Sequence, residues 1–183
     1  MNEEINVLLI TGASHTGKTN FSCHLMNKLF IPYFSMDWLK MGLIRSGVCP
    51  YTVSEDERLT EYLWPVVRNM MMTVIENRQK LIIEGCYVPS SWRNDFDSRY
   101  LSHIRGITLI MSEKYIRTHE GQIRDFASCS EKRICDDINT DRLIEDNLRL
   151  LEEAERFSAP YLLINDEYPS LAYMDQIFCG DSM

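Results

Sequence analysis

The sequence contains no run of about 18 or more apolar residues, the length a membrane-spanning helix requires, so no membrane partner is expected. It also has no basic-then-apolar leader. The chain opens "MNEEIN", acidic where a secretory signal would be basic, which points to the cytoplasm. Positive charge is in deficit: 19 Lys and Arg stand against 27 Asp and Glu, a net charge of -8, which excludes a nucleic-acid backbone as the main partner. Any basic site must be local. There is no C-x-x-C pair, and the six cysteines, Cys23, Cys49, Cys86, Cys129, Cys135 and Cys179, are scattered, as expected for reduced thiols. Cys129 and Cys135 lie in a polar stretch near arginines, but at a spacing wider than zinc sites use. The sequence carries neither G-x-G-x-x-G nor N-K-x-D, which disfavours a dinucleotide fold and a guanine-specific switch. Repeats, low-complexity tracts and linkers are missing too, so residues 1–183 form one expected domain.

What is present alternates. Residues 5–11, "INVLLIT", read as a strand buried on both faces, and a helix follows from Gly17 to about Phe30, with Phe21, Leu25, Met26 and Leu29 at helical spacing. "PYFS" is a second strand and "DWLKMGLI" a short helix starting at Asp37. Ser54 and Glu57 have capping-box spacing, so a long helix begins there and is kinked or split at Pro65. The methionines at 70, 71 and 72 sit among valines and isoleucine and read as core.

"KLIIEGC" and "IRGITLIMS" read as strands three and four, and residues 113–126 as helical. Residues 127–138 lack periodicity and form the mobile part of a lid expected around 113–138. In residues 140–157, Ile144, Leu148, Leu151 and Ala154 make one apolar stripe. "YLLI" is the fifth strand and "PSLAYMDQIF" a final helix. Strands alternating with helices give an α/β fold with a mostly parallel sheet, which binds ligands at the carboxyl ends of its strands.

One motif is specific. "GASHTGKT" fits G-x-x-x-x-G-K-[ST]: Gly12 and Gly17 allow the backbone to wrap, and the amides of Ala13, Ser14, His15, Thr16 and Gly17 turn toward phosphate oxygens. Lys18 would reach the β- and γ-phosphates, Thr19 would ligate Mg²⁺, and Asn20 follows in the first helical turn, whose positive end faces the same anion. The expected ligands are ATP and Mg²⁺. Only His15 of the four histidines lies near this site.

The other strand ends suggest what becomes of the phosphate. Phosphoryl transfer needs an acceptor and a carboxylate to orient or deprotonate it. Asp37, after strand two, is placed for that task, with a helix N-cap as its structural alternative. Glu84 ends strand three, where a buried charge requires a partner, and could serve Mg²⁺ or the acceptor. Arg117 and Arg124 lie seven apart on one helical face and Arg133 follows in the lid; any of them could neutralise transition-state charge, or simply pair with Glu113, Glu120 and Asp125. Arg45, Arg58, Trp92 and Arg93 flank the acceptor side.

"VLLITGASHTGKT", "SMDWLKMGL", "KLIIEGCYVPSSW" and "LIMSEKYIRTHEGQIRDF", in this order, resemble the small P-loop kinases related to adenylate kinase. Within that group the sequence is most similar to zeta-toxin-like, 2-phosphoglycerate-kinase-like and chloramphenicol-phosphotransferase-like bacterial kinases. The resemblance implies a three-layer α/β fold with a five-stranded parallel sheet in the order 2-3-1-4-5 and helices on both faces. It implies transfer of the ATP γ-phosphate to a small-molecule acceptor, with Asp37 as the acceptor base and Asn165 near adenine. Glu84-Gly85 stands where nucleotide kinases carry aspartate-glycine, and the adenylate-kinase lid pattern after Arg124 is incomplete. Two other readings stay open: a nucleotide-dependent switch with slow hydrolysis, and a toxin-type kinase of a nucleotide sugar.

Overall fold

The computed structural model describes residues 4–130 and 138–179. Five strands form one parallel sheet: β1 (Val7–Gly12), β2 (Tyr33–Ser35), β3 (Leu81–Gly85), β4 (Ile104–Met111) and β5 (Tyr161–Ile164). Their order is β2-β3-β1-β4-β5, as expected. β1 is the central strand and is buried along its whole length, which is why it reads as an unbroken aliphatic run.

The pleat divides β1 between two cores. Val7 and Leu9 join Ile83 and Ile104 beneath α3 (Asp56–Glu76), whose buried side is Leu59, Leu63, Trp64, Val67, Met71 and Ile75. Leu8 and Ile10 join Ile82, Ile107 and Leu109 beneath α1 (Lys18–Leu29) and α8 (Leu171–Cys179), through Phe21, Leu25 and Met174. The remaining helices are α2 (Met36–Arg45), α4 (Ser98–Leu101), α5 (Glu113–Thr118), α6 (Glu120–Ser130) and α7 (Thr140–Arg156). Helices therefore cover the sheet on both sides, and none among the described residues is long and apolar enough to cross a membrane.

Several local expectations are corrected. α3 does not start from a Ser54–Glu57 box. Glu55 is the N-cap residue, and its side chain turns back from the helix to accept from the Thr52 amide at 2.9 Å and the Thr52 hydroxyl at 3.0 Å. Pro65 does not split α3, a helix of 21 residues in all that runs through it. The helix expected over 113–126 is two helices, α5 and α6, broken at His119. α6 runs to Ser130, so the first residues of the segment expected to be irregular are helical. Arg133 and Cys135 lie outside the described residues, as does the side chain of Cys129. In α7 the buried side is Leu143, Ile144, Asn147 and Ala154, while Leu148 is exposed. Asn147 is drawn inward because its Oδ1 accepts from the Met111 amide at 2.8 Å, satisfying a backbone donor at the end of β4.

Candidate active site

The carboxyl ends of β1, β2 and β3 converge on one edge of the sheet, and the register places Ser35 and Ile10 on either side of Glu84. At this edge the chain leaves β1 into the 12–19 loop and enters α1. Gly12 has a φ of 144°, and a Cβ there would lie 2.3 Å from the Leu109 carbonyl oxygen, so no side chain fits. Gly17, the N-cap of α1, has a φ of 82°, and a Cβ there would lie 2.0 Å from the Tyr168 hydroxyl. Both glycines of the motif are thus demanded by φ and by close approach.

Inside the loop, the Thr16 hydroxyl donates to the Ala13 carbonyl at 2.9 Å and Lys18 Nζ donates to the same oxygen at 2.7 Å. Thr16 and Lys18 are buried, Ser14, His15 and Thr19 are half-buried, and Asn20 is exposed. His15 has a positive φ of 64°, an uncommon conformation for a residue with a side chain. The first amides of α1 have no intrahelical acceptors, so they present an array of donors beside a lysine. That array can cradle an anion.

Glu84 is only 1% exposed and faces the α1 side of the sheet, sharing that face with Ile10 and Ile82. Its Oε1 accepts from the Tyr33 hydroxyl at 3.2 Å. Burial and then the Glu84 charge push the Tyr33 hydroxyl well above its ordinary pKa. The Cys23 thiol is raised by the same two causes, which places Cys23 and Tyr33 in the field of the Glu84 carboxylate.

Asp37 lies in the first turn of α2, and the helix is capped by Ser35, whose hydroxyl accepts from the Asp37 amide at 3.3 Å. Ser35 therefore does the capping, and the Asp37 carboxylate remains available for other work. It pairs with Lys40, one turn on, and Lys40 Nζ also donates to the Tyr87 hydroxyl at 2.8 Å. Burial alone would lower the Lys40 ammonium, but Asp37 and Tyr87 outweigh it and hold it above its usual value. Beside Asp37, Trp38 packs edge-to-face on Tyr33 with centroids 5.1 Å apart, which ties the Asp37 turn to the Glu84 cluster.

The arginines stand further out. Arg117 Nε donates to Glu113 Oε1 at 2.8 Å and Arg124 Nη2 to Glu120 Oε1 at 2.8 Å, both on exposed surfaces. Because α5 and α6 are separate, the two do not share one helical face. Arg58 pairs with Glu55, Arg45 is exposed, and Arg93 stacks on Trp92. Trp92 itself is 2% exposed and packs against Gly106, which makes it core and removes it from the acceptor side.

Asn165 follows β5 on the rim of an open hollow of about 600 Å³, lined also by Asp166, Tyr168, Ser170 and Tyr173. Tyr168 connects this hollow to the 12–19 loop, since its hydroxyl donates to the Thr16 carbonyl at 3.0 Å. Sequence reasoning missed Lys40, Tyr33, Tyr87 and Tyr168. Lys40 was within reach, one helical turn from Asp37, whereas the Tyr168 contact spans 152 positions and leaves no local signal.

No protein-family model and no curated protein matches the sequence. Solved structures do match. A Chloroflexus aurantiacus protein provisionally assigned as a kinase is 15% identical with a TM-score of 0.58, covering 99% of this chain and 100% of that one. A gluconokinase from Sinorhizobium meliloti is 14% identical with a TM-score of 0.56, over 97% and 93% of the two chains. A shikimate kinase from Bacteroides thetaiotaomicron is 18% identical with a TM-score of 0.51, over 94% and 97%. At these identities the likeness is one of fold: the chain has the three-layer fold of small P-loop kinases.

Proposed function

We propose that this protein is an ATP-dependent kinase that transfers the γ-phosphate to a hydroxyl or phosphate of a small metabolite in the cytoplasm. The observation that carries the reading is the placement of Lys18 and the 12–19 loop on the same sheet edge as two carboxylates at strand ends, Glu84 and Asp37. A bare nucleotide switch has no need of a second carboxylate facing an acceptor. The neighbours' names, a gluconokinase and a shikimate kinase, support a hydroxyl acceptor, as does the resemblance to chloramphenicol-phosphotransferase-like enzymes.

In this reading the loop amides and Lys18 bind the β- and γ-phosphates. The acceptor oxygen attacks the γ-phosphorus, the bond from that phosphorus to the β–γ bridging oxygen breaks, ADP leaves, and the acceptor proton passes to Asp37. Lys40 holds the Asp37 carboxylate in place between turns. Arg117, Arg124 or Arg133 is the candidate for neutralising charge on the transferring group. The pairs that Arg117 and Arg124 make with glutamates are exposed and screened by solvent, so their release costs little.

The donor set fits a magnesium ion held jointly by protein and nucleotide. Glu84 and the Thr19 hydroxyl are hard oxygen ligands, and no group of three or more His, Cys, Asp or Glu able to hold a metal alone exists among the described residues. Magnesium characteristically takes one or two protein oxygens and completes its shell with phosphates and water. When bound it would draw charge from the β- and γ-phosphate oxygens. Glu84 and Thr19 would hold it.

The test is incubation of the protein with γ-labelled ATP and a metabolite extract, followed by mass identification of the labelled product. Transfer is expected from the wild type and not from Lys18→Ala. An unlabelled extract, or full transfer by Lys18→Ala, would sink the assignment.

A further inference from the structure

Tyr168 lies outside every motif in the sequence, yet its side chain closes against the phosphate loop. Its hydroxyl donates to the Thr16 carbonyl at 3.0 Å and stands 2.0 Å from where a Cβ on residue 17 would be. The ring is anchored on two sides. It packs on the Leu8, Phe21 and Met174 core and on the Ala13, Tyr115 and Ile164 core, so it is a fixed post and not a loose loop residue.

A planar trans peptide points its C=O and its N–H in opposite directions, and there are no cis peptides among the described residues. Drawing the Thr16 carbonyl toward Tyr168 therefore turns the Gly17 N–H away from Tyr168. The other groups of the loop fit this picture: the Thr16 hydroxyl and Lys18 both converge on the Ala13 carbonyl from within. Burial, with the neighbouring Tyr115 hydroxyl, pushes the Tyr168 pKa up to about 12, so the phenol stays a donor throughout the neutral range.

We propose that Tyr168 is a positioning residue that aims the Gly17 amide at the bound triphosphate, completing the phosphate cradle from outside its own motif. This rests on the nucleotide-binding reading above. It also gives a physical role to the glycine at 17 beyond its φ: the missing side chain is the space that the hydroxyl occupies.

The test titrates the isotope-labelled full chain with ATP and with inorganic tripolyphosphate, following the Gly17 amide resonance in the wild type and in Tyr168→Phe. The Phe variant keeps the ring and loses only the donor. In the wild type the Gly17 amide is expected among the most shifted resonances with both ligands. In Tyr168→Phe both should bind about fivefold more weakly, roughly the worth of one net hydrogen bond, with a smaller Gly17 shift. Equal affinity and an equal Gly17 shift in the variant would overturn the proposal alone. Should Tyr168→Phe fail to fold, Tyr168→Met, which fills the apolar space with no donor, is read against the same outcomes, and a Gly17 amide unmoved by saturating tripolyphosphate in the wild type overturns the proposal by itself. A wild type that binds neither ligand overturns the kinase reading and this inference together.

Discussion

The Tyr33 hydroxyl donates to Glu84 Oε1 at 3.2 Å, linking adjacent strands β2 and β3 at the sheet edge that carries the 12–19 loop. Glu84 is almost fully buried, so this donor is part of what makes its charge tolerable. Tyr33→Phe should destabilise the protein by about 1–3 kcal/mol, the cost of leaving a buried acceptor short of a donor. Urea unfolding measures it. Glu84→Gln keeps the shape and loses the charge: it should raise the magnesium concentration needed for half-maximal transfer by about tenfold. An unchanged magnesium dependence would remove Glu84 from the metal role.

Asp37→Asn should reduce phosphate transfer by about 100-fold or more while leaving ATP affinity unchanged, because a base contributes to the chemical step and not to nucleotide binding. Lys40→Met should have an intermediate effect, since it frees the Asp37 carboxylate from the partner that orients it. Steady-state kinetics with separate determination of the ATP dissociation constant distinguishes the two. Loss of ATP binding in Asp37→Asn would place Asp37 on the nucleotide side.

Asp175 on α8 is buried and accepts from His24 at 2.9 Å and Lys28 at 2.8 Å, both on α1. Burial opposes its charge, but His24 and Lys28 prevail and hold its pKa below the ordinary aspartate value. A carboxylate with a folded pKa below its unfolded one stabilises the fold above the unfolded pKa, and that stabilisation is lost as pH falls through the folded pKa. The wild type should therefore exceed Asp175→Asn in Tm at neutral pH, and the gap should narrow once the pH falls below about 4. Thermal melts across that range check the prediction; a gap that widens with acid would contradict it.

Asn147→Ala should leave the Met111 amide without its acceptor and cost about 1–3 kcal/mol. Asn147 also donates to the Leu143 carbonyl within α7, so the loss is felt on both sides of the α7–β4 contact. Denaturant melts report the change, and nucleotide affinity should be unaffected. Asn147→Asp should cost more than Asn147→Ala at neutral pH, because it keeps the acceptor but buries a charge and sets an oxygen against the Leu143 carbonyl.

The parts of the fold that could be read from the sequence are those governed by local pattern. β5 falls where its apolar run places it, and β1 and α1 follow from a buried aliphatic strand meeting a glycine loop. Asp37 and Glu84 emerge from the rule that α/β sheets use their carboxyl edge. What periodicity could not reveal was a polar residue with a long-range obligation. Asn147 displaces Leu148 from the buried side of α7 because one backbone amide on β4 requires an acceptor. Likewise the turn that leads into α3 is set by Thr52 bonding the Glu55 carboxylate, a choice that the nearby Ser54 and Glu57 spacing conceals. Tyr168 was beyond sequence reasoning for the same reason.

The edge-to-face contact between Trp38 and Tyr33 has a spectroscopic consequence. Trp64 and Trp92 are 6% and 2% exposed, while Trp38 is 57% exposed and adjoins Asp37 in the chain. Of the three indoles, one alone is open to a water-soluble quencher, and it is the one beside the proposed acceptor position. Iodide quenching of the native protein is thus an optical probe of that single turn, able to register an arriving acceptor without any label.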